Sequence, residues 1–214
     1  MCFSMEASFG SAVVVGGVAI ATLPQIRTRG EVLLGTLPLM FSIHQWLEGF
    51  NWLALEGRIA SGIGDWSILL YEVFAYALLP AIVPWSLWLA EPLAKNRHRL
   101  FPLVILGSGL CVIVLWELTK VPVSATIRGY GIVYESRLGD TWWFPVLYVI
   151  STCIPSFLSS YPWMQLFGAL IVATFIATEL FETMFLTSVW RLAASLVSIL
   201  IYLHFRRVRR LATN

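Results

Sequence analysis

Residues 33–55 read Leu33-Leu34-Gly35-Thr36-Leu37-Pro38-Leu39-Met40-Phe41-Ser42-Ile43-His44-Gln45-Trp46-Leu47-Glu48-Gly49-Phe50-Asn51-Trp52-Leu53-Ala54-Leu55. A transmembrane helix needs about 20 mostly apolar residues, and this run is long enough. It also carries His44, Glu48 and Asn51, at offsets of four and three, which puts them on one helix face. Polar groups facing lipid are costly, so that face belongs inside a bundle, against other helices. The stretch therefore reads as one member of a polytopic membrane bundle that encloses a polar site.

The rest of the chain supplies the other members. Further apolar runs lie at 6–25, 66–90, 100–119, 142–160, 163–183 and 187–205, which makes seven in all. The last two are nearly continuous around Thr183 to Ser188, but 163–205 is too long for a single span. The expected fold class is all-α: a seven-transmembrane-helix bundle formed by residues 1–205 as one domain. Residues 120–141 form an extracytoplasmic loop within it, and 206–214 a basic cytoplasmic tail. Ile127 to Tyr134 is rich in β-branched and aromatic residues around Gly129 and Gly131, so a small β-ribbon is expected between the fourth and fifth helices.

Composition agrees. Of 214 residues 58% are hydrophobic and 12% charged, with mean hydropathy +0.80; a soluble domain carries about 25% charge. A net charge of +2 gives no argument for nucleic acid. Cys2, Cys111 and Cys153 are an odd number without metal-finger spacing, so no disulfide framework is implied. The first apolar run has no basic region before it, so it reads as a retained helix and not a cleaved signal. No lysine lies in the seventh run, so retinal is not expected. Glycine-rich phosphate loops, His-Glu-x-x-His and Gly-x-Ser-x-Gly are missing from the sequence. Trp66, Trp85, Trp88, Trp142, Trp143, Trp163 and Trp190 lie near expected helix ends, as an interfacial aromatic belt does.

Basic residues orient the bundle. Arg27, Arg29, Lys95, Arg97, Arg99, Arg206, Arg207, Arg209 and Arg210 fall on one side if there are seven spans. Arg58, Lys120, Arg128, Arg137 and Arg191 fall on the other. The positive-inside rule then puts the N-terminus out and the C-terminus in, in a plasma membrane, with the lipid bilayer as the one partner implied.

Six acids then gather toward the outer half: Glu6, Glu48, Glu72, Glu117, Glu179 and Glu182. His44 lies deeper, near mid-membrane by a rise of about 1.5 Å per residue. Glu6, Glu117 and Glu182 are near helix ends, where ordinary hydrogen bonds and ion pairs account for them; Arg191 stands near Glu179 and Glu182. For His44, Glu48 and Glu72 two chemistries fit. Imidazole and carboxylate ligands suit a divalent transition metal, with Glu179 and Cys2 as further ligands. Cys2 offers a thiolate and, if Met1 is removed, an α-amine as well. Alternatively, burial and like-charge crowding disfavour the ionised form, which suits a proton relay. Ser151-Thr152-Cys153 and Ser159-Ser160 read as helix-packing residues.

Met1-Cys2-Phe3-Ser4 with Ala7-Ser8-Phe9, His44-Gln45-x-x-Glu48-Gly49, Thr152-Cys153 with Leu158-Ser159-Ser160, and Ile201-Tyr202-Leu203-His204 together resemble a family of small bacterial seven-helix membrane proteins of unknown function. The resemblance is strongest over 1–55 and 150–205. It implies a bacterial inner-membrane protein and a seven-helix bundle, and no activity. Three functions are thus expected as alternatives: a membrane-embedded metal site, a proton- or cation-coupled carrier or sensor, and a structural accessory subunit. Oligomeric state is not legible.

Overall fold

The computed structural model describes residues 4–120, 123–129, 131–135, 141–181, 195 and 197–213, with the backbone alone at 135, 178–181 and 211–213. It is mostly helical, with a two-stranded sheet. Helix α1 spans Met5–Thr22, α2 Val32–Leu55, α3 Ser61–Glu72, α4 Leu79–Ala90 and α5 Ala94–Leu118. Strands β1 (Ser124–Arg128) and β2 (Gly131–Glu135) follow, then α6 (Trp143–Leu158), α7 (Pro162–Phe181) and α8 (Ile199–Thr213). A wide π segment, Val73–Leu78, joins α3 to α4 in one continuous rod. The expected boundary at Thr183 to Ser188 lies outside the described residues.

Three of these rods are long and apolar enough to cross a membrane: Met5–Gln25, Ser61–Ala90 and Ala94–Leu118. Trp143–Leu158 and Pro162–Ala177 are shorter apolar helices. Helix α2 is long enough, but His44, Gln45, Glu48 and Asn51 dilute its apolar character. Large apolar side chains cover the outside of the rods, among them Ile20, Ile43, Trp66, Ile105, Val112, Trp116 and Ile176, all exposed. So much exposed apolar surface suits lipid and not water.

Helices α1 and α2 pack through small residues. Ser42 donates to the Ala12 carbonyl at 2.8 Å, and a Cβ added at Gly49 would stand 2.5 Å from the Phe9 ring. Small side chains let helix backbones approach, which is how helices associate where lipid is the solvent. Ser4 caps α1, its hydroxyl accepting from the Ala7 N–H at 3.3 Å. The main core runs through the middle of the bundle, with Leu37, Phe41, Leu87, Leu110, Phe144, Met164 and Ile201 buried in it.

The connections alternate between two ends. At one end Glu91, after α4, accepts from the Ser160 N–H at 2.9 Å, the Ser159 hydroxyl at 3.3 Å and the Leu93 N–H at 3.3 Å, and from the Ser160 hydroxyl. At that same end Arg209 of α8 donates to the Gln25 carbonyl at 2.7 Å and to Glu31. The ribbon closes the other end. Its strands pair antiparallel, with Arg128 opposite Gly131 and Ala125 opposite Tyr134. The tight turn between them starts at Gly129, whose φ of 59° lies in the left-handed region that favours glycine. Ala125 and Ile132 bury against Trp52 and Ile68, with Met5, Leu55, Val123 and Tyr134 around them.

Two elements differ from the sequence expectation. The third rod begins at Ser61, before the expected residue 66, and carries the π segment. The last helix continues through Arg206–Arg210 to Thr213, past residue 205 where the apolar run ends. Arginine is a good helix former, and burial of Ile201 and Phe205 fixes the face on which the helix runs on.

Candidate functional site

Helix α2 places its polar residues by period. Ile43, Trp46 and Phe50 are exposed, while His44, Glu48 and Asn51 are at most 1% exposed. The one-face expectation therefore holds. Gln45 is also buried; it turns toward α1, where its Oε1 accepts from the Ser11 hydroxyl at 2.9 Å.

Helix α3 stands beside this face, tied to α2 by the Ser67 hydroxyl on the Leu47 carbonyl at 3.1 Å. Its last residues, Tyr71 and Glu72, are both 0% exposed. The His44 ring stacks on Tyr71, centroids 4.1 Å apart at 22°, and Phe74 packs on the imidazole at 4.8 Å. Tyr71 in turn stacks on Tyr134 of β2, at 4.3 Å and 14°. An imidazole and two phenols thus form one continuous stack from mid-α2 up to the ribbon. Asn51 closes the top, its Nδ2 donating to the Tyr134 hydroxyl at 3.0 Å.

Glu48 and Glu72 are both buried on these two neighbouring helices. Glu72 sits where the α-helix widens into the π segment, a distortion found often at functional sites. Burial pushes the Tyr134 hydroxyl well above its ordinary pKa; nearby Tyr71 and the charges of Glu48 and Glu72 push it further, against the Asn51 hydrogen bond. One phenol of the ribbon is therefore within electrostatic reach of both carboxylates. Ionised groups held out of water each cost several kcal/mol unless something compensates.

The other expected residues are elsewhere. Glu6 is exposed on the first turn of α1. Glu117 pairs with Lys120 at 2.8 Å on the surface. Cys2, Glu182 and Arg191 lie outside the described residues, and so does the side chain of Glu179. Among the described residues no three His, Cys, Asp or Glu side chains gather as a metal site. Sequence reasoning missed Tyr71, Tyr134 and the buried Glu91. The signal for Tyr134 was present: Ile132 and Tyr134 are two apart in a strand and share a face.

A protein-family profile described as "Family of unknown function (DUF6629)" matches residues 1–214. The chain belongs to that family. No curated protein and no solved structure matches it. The seven-helix family resemblance read from the motifs thus leads to a family whose function is likewise open.

Proposed function

We propose that this is a multi-pass membrane protein, crossing a plasma membrane seven times with the N-terminus outside. In this reading the buried Glu48–Glu72 pair takes up and gives back a cation, and that cation is a proton. One observation carries the reading: two wholly buried acids stand on neighbouring helices, beside a stack of one imidazole and two phenols. Acids buried within membrane helices commonly mark proton or ion pathways. A proton needs no set of ligands. It also suits the surroundings, which are an imidazole and two phenols, all groups that hand protons on.

Infrared spectroscopy of the purified protein tests this. A protonated-carboxyl band is expected at neutral pH, to be lost in Glu48→Gln or in Glu72→Gln. A spectrum without that band would defeat the proton reading. The second arm adds zinc or manganese. A rise in melting temperature in the wild type, missing in His44→Ala, would put a metal in place of the proton, since a ligand stabilises the state that binds it. Such a site would have to draw on His44, Glu48 or Glu72 together with ligands beyond the described residues, such as Glu179 or Cys2, since the described residues alone do not gather as one.

A further inference from the structure

Glu48 and Glu72 are 0% exposed, so water reaches them only through something that moves. Of the described groups beside them, His44 and Asn51 belong to α2 and Tyr71 to α3, both long rods packed into the bundle. Tyr134 belongs to a two-stranded ribbon. An isolated hairpin of two strands is marginally stable in water, so docking is what orders this one. Among the described residues it docks through Ala125 and Ile132 on Trp52 and Ile68, with Met5, Leu55 and Val123 around them, through the Tyr134 ring on Tyr71, and through the Asn51 hydrogen bond.

Tyr134 also bridges the inside and the outside. The residue as a whole is half-buried, while its hydroxyl end meets Asn51 within the chamber. Asn51 is 0% exposed, and its Oδ1 meets no hydrogen-bond partner among the described residues. A buried acceptor in that condition costs free energy and calls for a donor from water or from a bound species. The amide therefore marks a place, beside the acids and under the ribbon, where a small donor such as a water molecule belongs.

We infer that Tyr134 is the access-controlling residue of the chamber: its ring and its hydroxyl bond to Asn51 shut Glu48 and Glu72 off from water, and lifting the ribbon opens the route. The inference rests on the proposed acid site and names how that site is reached. It also sets the size of what passes. With the door shut, a proton handed along the phenol enters, and a hydrated metal ion does not.

The test is carboxyl labelling of the full chain in detergent with a water-soluble carbodiimide and an amine, read at Glu48 and Glu72 by mass spectrometry. The exposed acids Glu6 and Glu56 serve as internal controls. Tyr134→Ala removes ring and hydroxyl, and labelling of the two buried acids should rise more than about tenfold. Tyr134→Phe keeps the stack and loses only the bond to Asn51, so the rise should be roughly 5-fold, one hydrogen bond's worth. If the alanine variant does not fold, the phenylalanine variant decides. Folded variants that label like the wild type overturn the inference. So does labelling by a hydrophobic carbodiimide alone, indifferent to Tyr134, since access would then come from lipid. The infrared band is a separate readout. A band that depends on Glu48, with no effect of Tyr134 on labelling, refutes the door and leaves the acid pair standing. Labelling that depends on Tyr134, with no band, supports the door and refutes the proton.

Discussion

Prolines inside helices leave carbonyls without donors, and in this chain another helix supplies them. Pro84 has no N–H for the Pro80 carbonyl four residues back. The Ser151 hydroxyl donates to that carbonyl instead, at 2.6 Å. In the π segment the Leu79 N–H reaches back to the Phe74 carbonyl, and Pro80 has no N–H to offer Ala75. The Tyr148 hydroxyl fills that place at 2.7 Å. The widened turn beside Glu72 is thus held open by α6. The space is tight, because a Cβ on Gly107 of α5 would fall 1.8 Å from the Pro80 oxygen. Ser151→Ala should destabilise by about 1–2 kcal/mol, the cost of an orphaned buried acceptor. Gly107→Ala should cost more, about 3 kcal/mol, because backbone must move. Thermal melts in detergent check the order, at roughly 2–4 °C per kcal/mol for a chain of this length. The sequence marked Ser151 as a packing residue. Its partner was not legible, since that depends on which helix stands opposite.

At the scale of elements, the reading was strongest where period and cost agree. The buried face of α2 followed from spacing and from the cost of charge in lipid. The ribbon followed from β-branched residues around Gly129 and Gly131. The π segment did not, because it arises from the Pro80 and Pro84 pair meeting hydroxyls of a distant helix. The continuation of α8 did not either, because arginines after an apolar run read as a tail. What holds that continuation is a clasp. Arg209 reaches Glu31, which also accepts from the N–H groups of Arg27 at 2.9 Å and Thr28 at 3.2 Å. Burial pushes the Glu31 carboxyl up, but the Arg27 N–H, the Arg209 guanidinium and the Thr28 N–H outweigh it and hold the pKa below the usual carboxylate value. A lowered folded pKa stabilises the fold above the unfolded value, and that benefit is lost as pH falls through the folded value. Hydrogen exchange of Ile199–Thr213, corrected for intrinsic rate, should therefore rise on acidification below about pH 4. In Glu31→Gln it should already be high at neutral pH and lack that acid step. An acid step retained in the variant would assign the effect to another group.

For the whole molecule, the question is which end faces the cytoplasm, and the answer turns on which charges remain at each end after the fold has used its own. At the clasp end both acids are taken: Glu31 by Arg209 and the Arg27–Thr28 backbone, Glu91 by Ser159, Ser160 and Leu93. Around them Arg27, Arg29, Lys95, Arg97, Arg99, Arg206, Arg207 and Arg210 are exposed. At the ribbon end Arg58 pairs with Glu56 at 3.3 Å and Lys120 with Glu117 at 2.8 Å. Arg128 is also exposed at the ribbon end, and Arg137 and Arg191 lie outside the described residues. The larger cluster of lysine and arginine is at the clasp end, and such residues near helix ends are what retain a loop in the cytoplasm. A reporter fused after Asn214 should be active in the cytoplasm. A cysteine placed at Ile127, which is 39% exposed on the ribbon, should react with a membrane-impermeant maleimide in intact cells, or in spheroplasts if an outer membrane intervenes. Both results together support an odd number of crossings after the ribbon, as the three expected there require. Reaction at position 127 with a C-terminal reporter active outside the cytoplasm would break the seven-span topology. Cytoplasmic reporter activity with a position 127 that reacts only after lysis would invert the ribbon, and the acid chamber would then open inward.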